Sequence, residues 1–274
     1  MIPSLPHIEN LGCPRNIWAV SAPDGDVEAL NRIHEVIWRG FKPGDKVIYH
    51  GNYLGNPARV DNPDAIDAIN LFAHALQNNA AAGPQDIICL KGQREELWLK
   101  TLQLQFANKP HDVLEWLLSR GMEGILNHYG SSGEEGFAAC RGGIIPLTRW
   151  TGYLRQRMYE KSGHAAFYHG LKDAAYTRPS DGGSAPMLFV HSGIDPAKPL
   201  ESQEDNFWWG GRKLNRLERN YSGFRYIVRG YDPQGQGALI SGNIISICGQ
   251  GNGRAQVNCA RITGCGRMQN LYSF

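Results

Sequence analysis

DKVIYHGNYLGNP, residues 45–57, joins a short apolar run to a turn. Lys46 to Tyr49 carries Val, Ile and Tyr, which suit a pleated and buried surface. The Gly- and Asn-rich positions that follow tolerate the left-handed backbone of a tight turn. Beyond that turn Ile66, Ile69, Phe72 and Leu76 recur at helical spacing. The same order stands upstream in IWAVSAPDG (17–25), where Val27, Leu30, Ile33 and Ile37 mark the helix. It stands again downstream in IICLKGQRE (87–95), with a helix beginning near Glu95. Strand, polar turn and helix, met three times, predict an α/β fold. In such folds ligands collect beyond the carboxyl ends of the strands, so the three turns are where chemistry should converge.

The 274 residues are 42% hydrophobic and 20% charged, an ordinary globular composition, and we expect a single domain over 1–274 with an insertion. From about Leu97 to Ala185 the pattern is mostly helical, with helices near Val113 to Leu118 and Thr148 to Tyr159, so 97–185 is predicted as a cap ending in the loop RPSDGGSAP. Strands return at Met187 to Val190 and Phe224 to Val228. A hairpin follows, in which Ala238 to Ile240 and Ile244 to Cys248 flank Ser241-Gly242-Asn243. A formal charge of +2 spread over 28 basic and 26 acidic residues gives no field for nucleic acid or a membrane surface. Six cysteines without a CxxC pair are read as reduced and structural. With neither a signal-like N-terminus nor a run of the ~18 apolar residues that suggests a membrane span, we expect a soluble, cytoplasmic protein.

Set in order, SAPDG (21–25), GNYLGN (51–56), GQRE (92–95), VHSG (190–193) and GYDP (230–233) resemble the five metal-site motifs of the calcineurin-like metallophosphoesterases. Within that superfamily they are closest in form to bacterial serine/threonine protein phosphatases and diadenosine tetraphosphatases, whose motifs run GDxHG, GDxVDRG, GNHE, VHAG and GH. The neighbouring text LFVHSGIDPAKPLESQ (188–203) and DNFWWGGRKL (205–214) is similar too. This resemblance implies a layered sandwich of two mixed β-sheets flanked by helices, with a helical cap. It also implies a site for two divalent metals, such as Mn or Fe/Zn, that lie ~3.5–4 Å apart and activate a water.

Carried over position by position, the six ligand sites hold Ala22 for Asp, Asp24 for His, Asn52 for the bridging Asp, Gln93 for Asn, His191 unchanged and Tyr231 for His. Arg94 replaces the general-acid His and Asn56 the phosphate-binding Arg. A neutral amide at Asn52 cannot offset the repulsion of two dications, and a guanidinium does not cycle protons near neutral pH. No metal or other cofactor is therefore expected; Asp24 and His191, helped by Asn52 and Gln93, form at most a weak single-ion site. The concerted loss predicts a catalytically inactive pseudophosphatase, a regulatory or scaffolding binder of a protein partner. Two alternatives stay open: an altered-site phosphoesterase with one metal or none, and a nucleotide or phosphate sensor.

Each residue also has a plainer role. His191 can be a structural histidine, Asp24 a cap of the following helix and Glu95 a favourable charge at the start of its own. Arg94 and Arg229 are candidate anion contacts, and Arg94 is expected to approach Asp24. Phe207, Trp208 and Trp209 read as framework, and Gly249, Gly251 and Gly253 as a turn, since no Lys-Ser/Thr follows them.

Overall fold

The computed structural model describes residues 7–55, 64–79, 82–179, 185–251 and 254–274. In chain order the strands and helices are β1 (Ile8–Asn10), β2 (Asn16–Val20), α1 (Val27–Gly40), β3 (Lys46–Tyr49), α2 (Ala65–Asn79), β4 (Ile87–Cys89) and α3 (Gln93–Thr101). A helical stretch follows with α4 (Pro110–Ser119), α5 (Glu123–His128), α6 (Gly133–Arg141), α7 (Ile144–Glu160) and α8 (His164–Gly170). The chain closes with β5 (Ala174–Tyr176), β6 (Met187–Val190), α9 (Asn206–Trp209), α10 (Gly211–Leu214), β7 (Tyr226–Arg229), β8 (Ala238–Ser241), β9 (Ile244–Ile247), β10 (Gln250–Gly251), β11 (Arg254–Ala255), β12 (Asn258–Thr263) and β13 (Met268–Ser273).

Two mixed sheets result. A five-stranded sheet runs β13-β12-β2-β3-β4 and a six-stranded sheet runs β1-β5-β6-β7-β9-β8; β10 and β11 pair separately. Strands β2, β3 and β4 are parallel, as are β6, β7 and β9, so each sheet delivers several carboxyl ends to one side.

Strand alternation builds the layers. In β2, Ile17 and Ala19 face the other sheet while Trp18 and Val20 face helices; in β6, Met187 and Phe189 face inward while Leu188 and Val190 face out. The resulting inner core joins Ile48, Ile88, Val228, Ile245 and Ile262 between the sheets. Outside the five-stranded sheet, Leu30, Ile33 and Ile37 of α1 and Ile66, Ile69 and Leu76 of α2 cover Val47 and Tyr49. Outside the six-stranded sheet, Phe207 and Trp208 pack on Leu188 and Ile227, so this aromatic pair is framework.

The helical stretch stops at Gly170 instead of running on to 185, because residues 174–176 join the six-stranded sheet between β1 and β6. Three residues, Ala174-Ala175-Tyr176, all buried and without polar alternation, make too short a run for a strand to be legible before its partners are known.

Candidate functional site

The turns after β2, β3, β4, β6 and β7 meet along one rim and interlock through their backbones. The Asp24 N–H donates to the Asn52 carbonyl at 2.9 Å and the Gly25 N–H to the Tyr53 carbonyl at 3.0 Å, while the Tyr231 N–H donates to the His191 carbonyl at 2.9 Å. Gly51 is required here. Its φ is +85°, and a Cβ would lie 2.5 Å from the Gly92 nitrogen, so the β3 and β4 turns could not close on each other with any side chain between them. Asp24 and Asn52 also take the left-handed conformation, at φ 54° and 57°, which Asp and Asn tolerate best among residues with a Cβ.

Glu95 ties these turns together from below. It is 1% exposed, and its carboxylate accepts the N–H groups of Asn52 at 2.8 Å, Tyr53 at 2.9 Å and Gly92 at 2.9 Å. Burial pushes this carboxyl above the usual glutamate range, and the three N–H bonds hold the rise back. The expected role at the start of its own helix is present in the Gly92 contact; the reach to the β3 turn was not visible in sequence.

Arg94 lies over the rim and forms an ion pair with Asp24. Its guanidinium also donates to the Leu54 carbonyl at 3.1 Å, and its backbone N–H donates to the Asn52 Oδ1 at 3.1 Å. Gln93 is held by a bond from its Nε2 to the Trp208 carbonyl at 2.7 Å. His191 is fully buried, bonded through Nδ1 to the His50 carbonyl and stacked on Tyr231 with ring centroids 5.2 Å apart. Its Nε2 meets no hydrogen-bond partner among the described residues. Burial lowers the His191 imidazole to about 3, which keeps it neutral, and raises the Tyr231 phenol. Asp24, Asn52, Gln93, Arg94 and Tyr231 line a cavity of about 270 Å³, with Ala22 in its wall and Arg120 entering from the helical stretch. Asn56 lies outside the described residues.

Two expectations need correction. Asp24 does not cap α1: that role falls to Asp26, whose side chain accepts the Ala29 N–H at 3.0 Å, because the chain needs the two-residue turn at Asp24-Gly25 before helical geometry begins. Arg229 is not an anion contact. It is 2% exposed and held by Asp232 at 3.0 Å, so its charge is balanced inside the protein and faces no solvent. Gly253 is outside the described residues, and Gly249 makes room for the Gln256 carbonyl, which a Cβ would overlap at 1.6 Å.

No protein-family profile matches the sequence, and no curated protein does either. Solved structures do. A protein assigned as a diadenosine tetraphosphatase superposes with a TM-score of 0.50 at 14% identity, covering 97% of this chain and 97% of its own. A protein serine/threonine phosphatase from Saccharomyces cerevisiae, itself similar to human phosphatase PP5, superposes with a TM-score of 0.50 at 12% identity, over 98% of this chain and 83% of its own. The fold is that of the calcineurin-like metallophosphoesterases.

A phosphoesterase of this fold implies a pair of divalent metals at the rim, and the residues present do not fit one. Divalent ions ~3.5–4 Å apart need anionic oxygens between them. Ala22 offers no ligand atom, the Asn52 oxygen faces the Arg94 N–H, and Asp24, the one carboxylate among the six corresponding positions, faces the Arg94 guanidinium. Tyr231 holds its proton more tightly than an ordinary phenol, which makes it a worse oxygen ligand still. Of the six positions set beside the resembled ligand sites, only His191 keeps a buried, neutral imidazole nitrogen with no hydrogen-bond partner among the described residues.

Sequence inspection passed over a second cluster, Asp64, His128 and His164, whose donor atoms all lie within 4.8 Å of one another. The three residues are far apart in the chain and belong to no motif, so only the packing of α2, α5 and α8 reveals them.

Proposed function

We propose that this chain is a phosphatase-like protein that has given up hydrolysis and acts by binding, as a regulatory or scaffolding partner of another protein. The observation that carries this is the Arg94–Asp24 ion pair across the rim. A fixed cation stands where a phosphoesterase of this fold would hold metal ions, and it repels any dication that approaches. The same guanidinium replaces a proton-cycling group, so the rim also lacks a general acid.

The charges around the cavity favour a scaffold over a sensor of phosphate or nucleotides. Arg94 and Arg120 are matched by Asp24 and Asp26, so the lining residues sum to zero and offer no net attraction to a multiply charged anion. Apolar side chains at the start of α7 support a protein partner: Ile144 and Ile145 are 62% and 64% exposed and stand beside one another.

Elemental analysis of the purified chain joined to a phosphoester hydrolysis assay with added Mn²⁺ tests the loss of catalysis. We expect no turnover. Turnover together with a metal ion whose retention depends on His191 would instead establish an altered-site phosphoesterase. A thermal-shift series with inorganic phosphate and nucleotides should leave the melting temperature unchanged, and a concentration-dependent rise would favour the sensor. Photo-crosslinking from position 145 in the cell should yield a discrete protein adduct; its absence removes the partner half of the proposal.

A further inference from the structure

Asp64, His128 and His164 converge where three helices of different origin meet. Asp64 stands immediately before α2 and caps it, its Oδ1 accepting the N–H groups of Ile66 at 2.8 Å and Asp67 at 3.1 Å. That leaves Oδ2 directed away from the helix, toward His128 at the end of α5 and His164 at the start of α8. The His128 Nε2 is 2.7 Å and the His164 Nε2 3.2 Å from this one oxygen. All three side chains are inside the protein, with exposures of 3% for Asp64, 3% for His128 and 0% for His164. We propose that this cluster is a Zn²⁺ site that clamps the helical stretch onto the α/β core.

Four observations support an ion over a purely hydrogen-bonded cluster. First, the donor set is one carboxylate oxygen and two imidazole nitrogens, which suits zinc in tetrahedral geometry. Second, ligands ~2.0–2.1 Å from a tetrahedral ion are about 3.3 Å from one another, and the two Nε2 atoms already stand 2.7 and 3.2 Å from the Asp64 Oδ2, with all three donors within 4.8 Å. Third, both buried imidazole Nε2 atoms turn to one and the same oxygen, the Asp64 Oδ2, so that three donor atoms converge on a single point. Fourth, the His164 Nδ1 is 2.9 Å from the Tyr129 hydroxyl, the kind of outer contact that fixes a ligating imidazole with its Nε2 lone pair toward the metal.

Charge completes the account. Asp67 adds a second carboxylate nearby, its Oδ1 3.5 Å from the His164 Nε2. Two carboxylates and two neutral imidazoles balance one Zn²⁺. The Lys161 ammonium lies 3.2 Å from the Asp64 Oδ2. Lys161 is 31% exposed and can withdraw to solvent, so binding exchanges a mobile monocation for a dication. None of the three ligands lines the cavity at the strand ends, and all three are buried, so the site offers no access to substrate. Its role is to hold the fold together.

Chelator-treated full-length protein titrated with Zn²⁺ against a chromophoric competitor tests the site, with Co²⁺ substitution reporting coordination through its intense four-coordinate visible bands. We expect one ion per chain, a rise in melting temperature on addition of Zn²⁺, and unchanged binding in His191→Asn. His128→Gln and His164→Gln should each weaken binding by at least about tenfold. Lys161→Met, which leaves every ligand in place, should bind Zn²⁺ more tightly than the wild type. No binding in the wild type, loss of the ion in His191→Asn, or an affinity in Lys161→Met no greater than the wild type would each overturn the proposal.

Discussion

Replacing Glu95 by Gln removes one charge and exchanges one oxygen for an NH₂ group at the point where the β3 and β4 turns are joined. The Gln oxygen can take the place of Oε2 and keep the bonds to the Asn52 and Gly92 N–H groups. The NH₂ must then face the Tyr53 N–H, donor against donor, where Glu95 Oε1 now accepts at 2.9 Å. Losing that charge-assisted bond in a buried setting costs about 2–3 kcal/mol, and relief of the carboxylate's own burial returns roughly 1 kcal/mol at most, for a net loss of about 2 kcal/mol. Glu95→Ala orphans all three N–H groups and should cost about 4 kcal/mol or more. Urea unfolding followed by the fluorescence of the seven tryptophans measures both. For Glu95→Gln the melting temperature should fall by about 5 °C with no change in the denaturant slope. A Glu95→Gln protein within about 0.5 kcal/mol of the wild type, or a Glu95→Ala protein no worse than Glu95→Gln, would show that the carboxylate is not the tie between the turns.

Two further perturbations probe the same framework. Gly230→Ala places a Cβ 2.1 Å from the His50 Cβ, an overlap that backbone must move to relieve, so a loss of about 3 kcal/mol or failure to fold is expected, and a chevron or solubility measurement reads it. His34 is buried against Phe72, with its Nε2 2.9 Å from the Tyr49 hydroxyl, and burial lowers its imidazole from 6.5 to about 3. Because the folded state refuses a proton that the unfolded chain accepts, stability is full above the unfolded value and falls as pH drops through the window from 6.5 to about 3. At about pH 5 the loss attributable to His34 is about 2 kcal/mol, and His34→Gln should flatten the stability profile by that amount between neutral pH and about pH 5. An unchanged profile in the variant would place the pH dependence elsewhere.

Local chemistry made the strand ends legible before any tertiary contact was known. Apolar β-branched runs that stop at Ala22, Asn52 and Gln93, each followed by a helical period, specify parallel strands with their turns on one rim. Those signals survive because each lives within about ten residues, where period and turn chemistry act together. The substitutions at Ala22, Asn52 and Tyr231 were equally plain, since a missing carboxylate or imidazole needs no coordinates to be noticed.

What a side chain does inside the fold was decided by packing. Arg229 read as a candidate anion contact and proved to be a buried partner of Asp232; Asp24 read as a helix cap and proved to be the counter-charge of Arg94. Glu95 bonds to two turns at once because a glycine on each side lets the backbones touch. Asp64, His128 and His164 share a point in space although the chain separates them by more than a whole helix each. Such contacts depend on how helices cross and sheets stack, which is settled by the summed burial of many residues and not by the identity of any short run. The sequence by itself therefore determined the rim and which residue types stand along it, while the tertiary structure alone decided which charges were neutralised and which donors were brought together.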